Sequence, residues 1–159
     1  MKRIALFPGS FDPFTKGHED IVLRGLRLFD EVVIGIGNNA TKKRYFTLDV
    51  MQELIERTFA REKNVRVVVY DDLTAHIARE IGATFLLRGL RNTTDFEYEN
   101  GIAQVNRYIY SEIETVFLIT SPHLAPISSS IIRDLHRYGQ SVDDFLPYSL
   151  RELDKLNQS

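Results

Sequence analysis

Phe7-Pro8-Gly9-Ser10-Phe11-Asp12-Pro13-Phe14-Thr15-Lys16-Gly17-His18 is the stretch whose reading decides the fold. It follows the apolar run Ile4-Ala5-Leu6-Phe7 and precedes a helical pattern. It therefore reads as a strand, a loop punctuated by glycine and proline, and the first turn of a helix. A helix N-terminus carries unpaired N–H groups and about half a positive charge, so it attracts phosphate. His18 in that turn adds a side-chain donor. A lone histidine there is more simply a cap or a packing group. Beside Thr15, Gly17 and the Gly9-Ser10 turn, anion binding is the preferred reading.

Outward from this loop, apolar runs and amphipathic segments alternate. Strands are expected over 3–7, 31–37, 65–70, 84–88 and 114–120. Helices are expected over 17–29, 48–61, 74–81, 95–110 and 129–138, with a last one over 149–156. Val32-Val33-Ile34, Val67-Val68-Val69 and Phe85-Leu86-Leu87 are continuous apolar runs rather than alternations. Strands of that kind are covered on both faces, as in parallel sheets. Repeated βα units with right-handed crossovers give an α/β fold, a Rossmann-like, doubly wound, five-stranded parallel sheet with helices on both faces. In such a sheet ligands bind at the carboxyl ends of the strands, near the switch point. Every motif below follows a strand.

The length of 159 residues is that of one domain, 1–159, with no repeat or low-complexity tract. The chain has no cysteine, which excludes disulfides, thiolate catalysis and cysteine-based zinc sites. Pro8 ends the first apolar run after four residues, too short for a signal-peptide core. No later run approaches membrane-spanning length. A cytoplasmic protein without a membrane partner is expected. The net charge of −2 lacks the basic surplus of a nucleic-acid binder.

The cations that matter lie in loops. Lys42-Lys43-Arg44 follow the second strand, and a solvated loop is an equal reading for Lys43 and Arg44. The fourth strand ends in Arg88-Gly89-Leu90-Arg91, two guanidiniums three residues apart. Their planar forks suit phosphate oxygens. In the acidic run that follows, Asp95 and Glu97 read as arginine partners or helix N-terminal charges, whereas Glu99 is free to serve a ligand. After the fifth strand comes Ile127-Ser128-Ser129-Ser130. One serine suffices for an N-cap, and three in a row suggest a second anion site. No G-x-x-x-x-G-K-[ST] loop, acyl nucleophile or metal cage accompanies these groups. Four anion-ready loops at one sheet edge point to nucleotidyl transfer from a nucleoside triphosphate.

The same residues carry a family resemblance over nearly the whole chain. Pro8-Gly9-Ser10-Phe11-Asp12-Pro13 with Thr15-x-Gly17-His18, Lys42, Arg88-Gly89-Leu90-Arg91, Asp95-Phe96-Glu97-Tyr98-Glu99, Asn106-Arg107 and Ile127-Ser128-Ser129-Ser130 resemble the bacterial phosphopantetheine adenylyltransferase family. The T-x-G-H box marks only a broad nucleotidyltransferase superfamily. The pairing of R-G-L-R with D-F-E-Y-E is far more specific. The resemblance implies the reaction of ATP with 4′-phosphopantetheine to give dephospho-coenzyme A and pyrophosphate, with Mg²⁺, in a homohexamer built as a dimer of trimers. It implies that Ser10, Lys42, Thr74 and Arg88 contact phosphopantetheine. Contacts to ATP would come from Ser10, Phe11, His18, Gly89, Leu90, Arg91, Glu99 and the run Leu124, Ala125, Pro126, Ile127, Ser128, Ser129 and Ser130. His18 would stabilise the transition state, with Lys42 and Arg91 also in the catalytic set. The sequence gives no protein ligand for the metal. Two departures stand out. Ser10 takes the place of a threonine common in the family and keeps the hydroxyl. Leu124-Ala125-Pro126 replaces an approach that more usually contains an aromatic residue.

Overall fold

The computed structural model describes every residue except 150, 153, 154 and 156–159. Five strands, β1 (Ile4–Gly9), β2 (Glu31–Gly37), β3 (Val65–Tyr70), β4 (Phe85–Leu90) and β5 (Glu114–Ile119), form one sheet in the order β3-β2-β1-β4-β5. All neighbours pair in parallel. Between them run α1 (Lys16–Gly25), α2 (Leu48–Thr58), α3 (Thr74–Glu80) and α4 (Thr93–Ile109), and α5 (Ser129–Arg137) follows β5. A 3₁₀ turn at Asp143–Phe145 was not foreseen from the sequence. Of the helix expected over 149–156, residues 151, 152 and 155 are helical, and 150, 153, 154 and 156 lie outside the described residues.

Strand side chains alternate between two apolar layers, which is why the central strands read as unbroken hydrophobic runs. Ala5, Phe7, Val32, Ile34, Ile36 and Leu87 pack against α1, α2 and α5 through Ile21, Met51, Leu54, Ile55 and Ile132. Leu6, Val33 and Leu86 face the other way, toward Ala75 and Ala78 of α3 and the Tyr110–Ile113 turn. The doubly wound sheet thus has the helices on both faces that the runs require.

Two of the boundaries that differ from the sequence reading have a visible physical cause. β1 continues through Pro8 to Gly9. On the β4 side, β1 pairs only through Ala5 and Leu6, so the sheet has already opened where Pro8 lacks its N–H. Arg88 Nη1 donates to the Pro8 carbonyl in that opening. α1 stops at Gly25 and tightens into turns rather than running to 29. A Cβ at Gly25 would lie 2.6 Å from a Leu87 methyl, so the glycine lets α1 pack directly on β4.

The strand order reverses between β1 and β4. These two strands pair over only two residues, and the crevice at their carboxyl ends is the expected ligand site of an open α/β sheet.

Candidate active site

Cavities open on both sides of this crevice. One, of about 720 Å³, lies on the α3–α4 face and is walled by Tyr70, Thr74, Leu86, Arg88, Glu99 and Asn106, among others. A second, of about 370 Å³, lies on the α1–α5 face against Phe7, His18, Ile21, Gly89, Arg91 and the Ser128–Ser130 run. Ser10, Arg88 and Glu99 belong to both. Ser10 and Lys42 also border a third, cationic recess of about 610 Å³. Ser10 is therefore the point where all three spaces meet, and its side chain is exposed to them.

The β1–α1 loop is rigid for reasons visible in its residues. A Cβ at Gly9 would stand 2.9 Å from the Phe11 ring, so the glycine admits that ring beneath the strand end. Phe11 itself takes the left-handed φ of 46°. Its ring, with Phe7 and Phe14, surrounds the imidazole of His18 at centroid distances of 5.0, 6.0 and 5.3 Å for Phe11, Phe7 and Phe14 respectively. Thr15 caps α1 by accepting from the His18 N–H, and the His18 Nδ1 accepts from the Thr15 N–H at 3.0 Å. A ring nitrogen that accepts a backbone N–H carries no proton, so the neutral tautomer places its hydrogen on Nε2. Burial pushes the His18 pKa down from 6.5 to about 3, with the charges of Arg88 and Arg91 adding to it. The side chain is thus a neutral Nε2–H donor, oriented by the first turn of its own helix.

Arg88 projects from β4 toward the larger cavity. Its Nε donates to Glu99 Oε2 at 2.8 Å, and its Nη2 bonds Glu99 Oε1. Glu99, only 7% exposed, lines both cavities, yet each of its oxygens bonds Arg88. Glu99, which by its sequence could serve a ligand directly, braces an arginine here. Arg91 is forked onto Asp95 through Nε at 2.9 Å and Nη2 at 3.2 Å. The Arg91 hydrogen bond, opposed by partial burial, holds the Asp95 carboxyl below its ordinary range. Asp95 thus plays the arginine-partner part read from the sequence.

The serine run divides its work. Ser128 caps α5 by accepting from Ile131 N at 3.2 Å. Ser129 Oγ donates to the Pro13 carbonyl at 2.8 Å, tying α5 to the β1–α1 loop. Ser130 Oγ accepts from Arg133 Nη2 at 3.2 Å. The N–H groups at the start of α5 point out of the helix end toward the smaller cavity. Leu124 and Ile127 supply apolar wall there. Leu90, Ala125 and Pro126 line neither cavity. Thr74 begins α3, and its Oγ1 lies 3.0 Å from the Tyr70 hydroxyl on the wall of the larger cavity. Lys42 is exposed at the mouth of that cavity.

Sequence reasoning assigned no site role to Asn106, Asp12 or Arg133. Asn106 is 6% exposed and sits on the wall of the larger cavity, seven residues and two helical turns from Glu99. Two polar residues so spaced on one stripe of α4 were the available signal. Asp12 and Arg133 act through backbone groups of neighbouring loops, which sequence spacing does not reveal. Among the described residues no three His, Asp or Glu side chains converge as a metal cage.

A 3-2-1-4-5 sheet with a histidine-capped helix and facing arginines at its switch point defines a nucleotidyltransferase. The cytidylyltransferase-like family matches residues 6–135. A phosphopantetheine adenylyltransferase of Cytophaga hutchinsonii is 63% identical over 150 residues, covering 94% of this chain and all of that protein. Relatives of the same name from Flavobacterium johnsoniae and Streptococcus agalactiae are 52% and 46% identical, covering 94% and 99% of the chain and 97% and 99% of their own lengths. The chain belongs to the phosphopantetheine adenylyltransferases within that wider family. In fold it is similar to a bifunctional NMN adenylyltransferase/ADP ribose pyrophosphatase of Francisella tularensis, with a TM-score of 0.74 at 16% identity. That match covers all of this chain and 51% of the other.

Proposed function

We propose that this chain transfers the adenylyl group of ATP to 4′-phosphopantetheine, releasing pyrophosphate and dephospho-coenzyme A. The observation that carries the reading is the pair of cavities on opposite sheet faces, joined over Ser10, with His18 lining the smaller one. A two-substrate transfer needs two such spaces and one shared point.

The larger cavity suits the acceptor. The pantetheine arm is long and carries amides, and the Asn106 side chain presents an amide to that space. Lys42 and Arg88 at its mouth hold the terminal phosphate, with Ser10 and Thr74 as neutral partners. The smaller cavity suits ATP, with the base against Leu124 and Ile127 and the polyphosphate over the N-terminus of α5.

The acceptor phosphate is a monoester whose second pKa is near 6, so it reaches neutral pH as a nucleophilic dianion. It requires no protein base. One of its oxygens attacks the α-phosphorus of ATP while the bond to the β-phosphate oxygen breaks. His18 donates its Nε2–H to an α-phosphate oxygen as negative charge builds. Arg91, the Ser130 hydroxyl and the backbone N–H groups of Ser129 and Ser130 receive the pyrophosphate. Catalysis is positioning plus electrostatics.

Mg²⁺ offsets polyphosphate charge in such transfers. Asp95 and Glu99 are each bonded to an arginine, so the described residues offer it no protein cage. An ion bound with the substrate would be held by phosphate oxygens and water.

Two further points belong to this reading. A cysteine-free chain with ATP-dependent chemistry suits the cytoplasm, and no described helix is long and apolar enough to cross a membrane. A homohexamer, a dimer of trimers, is supported by the apolar row on α4, where Val105 is 58% and Tyr108 92% exposed.

A pyrophosphate-release assay across acceptors tests the function. Turnover with 4′-phosphopantetheine and none with nicotinate mononucleotide or glycerol phosphate is expected. The reverse pattern would replace the assignment with another transferase of the same superfamily.

A further inference from the structure

Asp12 lies between Phe11 and Pro13 and takes no part in the chemistry above. It is 8% exposed. Its two carboxylate oxygens accept from backbone N–H groups of the β2–α2 loop, Oδ2 from Tyr45 and Oδ1 from Phe46, each at 2.8 Å. Arg44 returns the connection in the opposite direction. Its Nη1 donates to the Ser10 carbonyl at 2.6 Å and its Nη2 to the Phe11 carbonyl at 2.9 Å. Its Nε also bonds the Phe46 carbonyl at 3.2 Å, which fixes the guanidinium in its own loop. Each loop thus sends one charged side chain into the backbone of the other.

We propose that Asp12 and Arg44 are positioning residues: they form a reciprocal clamp that sets Lys42 at a fixed distance from Ser10 and His18. The proposal rests on the reading of Lys42 as the cation that holds the acceptor phosphate.

The two loops differ in what else restrains them. The β1–α1 loop is packed among phenylalanine rings and held from α5 by Ser129 on the Pro13 carbonyl and by Arg133 on the Asp12 carbonyl. The segment carrying Lys42 has much less. Asn38 N bonds the Tyr70 carbonyl at its root, and Thr41 and Lys42 bond only Asn39 within the segment. Residues 39–43 are exposed. Behind the clamp, the Tyr45 hydroxyl meets His136 Nδ1 at 2.6 Å, a tie to α5 that fixes the tyrosine ring but not the chain before it. Releasing the clamp therefore loosens the Lys42 segment while His18 keeps its cap bonds and its surrounding rings. Charge-assisted bonds to backbone groups are the stronger class of hydrogen bond, and a misplacement of an ångström at a reacting centre can cost two orders of magnitude.

A double-mutant cycle with full-length protein tests this. Asp12→Asn keeps the size but turns one acceptor into a donor facing an N–H. It is expected to lower kcat/KM for 4′-phosphopantetheine by roughly 10- to 100-fold. In a Lys42→Ala background the same change should cost no more than about twofold, because the residue it positions is gone. Arg44→Gln runs the same cycle from the other loop and serves if Asp12→Asn does not fold. Amide exchange at Tyr45 and Phe46 should quicken in Asp12→Asn while exchange in α1 holds. Equal losses with and without Lys42 would overturn the clamp. An unchanged acceptor KM and kcat in Lys42→Ala alone would instead overturn the reading of Lys42, and the clamp's role in positioning it with it.

Discussion

On one face of the sheet, Phe7, Ile34, Ile36 and Leu87 meet Ile21, Met51, Leu54 and Ile55, and the space between is filled. On the other, Leu6, Val33 and Leu86 meet Ala75, Ile77 and Ala78 of α3 and, at the far end of α4, Ile109, Tyr110 and Ile113. At the carboxyl end that face opens into the cavity of about 720 Å³. The same strands serve both layers, since alternate side chains point opposite ways. The difference shows how a small parallel sheet combines stability with room for a long substrate: large side chains close one face, and small ones with a few polar groups leave the other open. The smaller cavity fits this pattern, because it occupies only the rim of the filled face, beside His18 and α5.

The sharpest break in the comparison is chemical. His18 sits on the filled face, lines the smaller cavity and is the proposed donor to the reacting phosphate. His18→Ala should lower kcat by at least about 10²-fold, the scale of losing one transition-state donor. ATP affinity, followed by calorimetry, should change little. An unaltered turnover would remove His18 from the mechanism.

A core deletion comes next. Leu54→Ala on the filled face should destabilise the fold by roughly 2–5 kcal/mol in urea unfolding. On the open face Asn106→Leu should shift stability by less than about 1 kcal/mol, since the amide meets the cavity rather than a buried partner. Its effect should appear instead as a KM for 4′-phosphopantetheine raised roughly tenfold, the worth of one hydrogen bond. If Asn106→Leu unfolds the protein while Leu54→Ala does not, the two faces have been assigned the wrong way round.

Assembly offers a further contrast, since α4 shields the open face and exposes Val105 and Tyr108 outward. Val105→Glu should reduce the sedimentation coefficient from that of a hexamer toward smaller species. A wild-type chain that sediments as a monomer at every concentration would end the hexamer reading.

A last effect is on acid stability. The His18 pKa is lowered on folding from 6.5 to about 3. Between those values the unfolded chain binds a proton that the folded chain refuses, so stability rises with pH across that window and is flat above it. Asp95 is lowered too, chiefly by its hydrogen bond from Arg91, so its contribution is present above the unfolded value and lost as pH falls through the folded one. Both terms weaken the protein in acid. In His18→Phe the pH dependence of the unfolding free energy should become shallower between about pH 4 and 6.5 by up to one proton.

How much of this was legible in the sequence depended on whether the signal was local. The unbroken runs Val32–Ile34 and Phe85–Leu87 announce burial on both faces because nothing polar interrupts them, and the sheet follows. The start of α1 was legible because Thr15, Gly17 and His18 are neighbours in the chain. The end of α1 was not, because Gly25 is set by Leu87 on a strand sixty-two residues later. Glu99 looked like a free carboxylate for the same reason: its partner Arg88 is eleven residues back, on a different element. Asp12 and Arg44 were obscure because each bonds backbone groups, which every residue has and no sequence pattern marks.

The bond from the Thr15 N–H to His18 Nδ1 is part of the helix cap, and it also decides which imidazole nitrogen is bare. Winding the first turn of α1 and selecting the reactive tautomer are therefore one event. A fraying of that turn would leave the ring free to carry its hydrogen on either side, so under the role proposed for His18 the unwinding of a single helical turn would register as lost turnover.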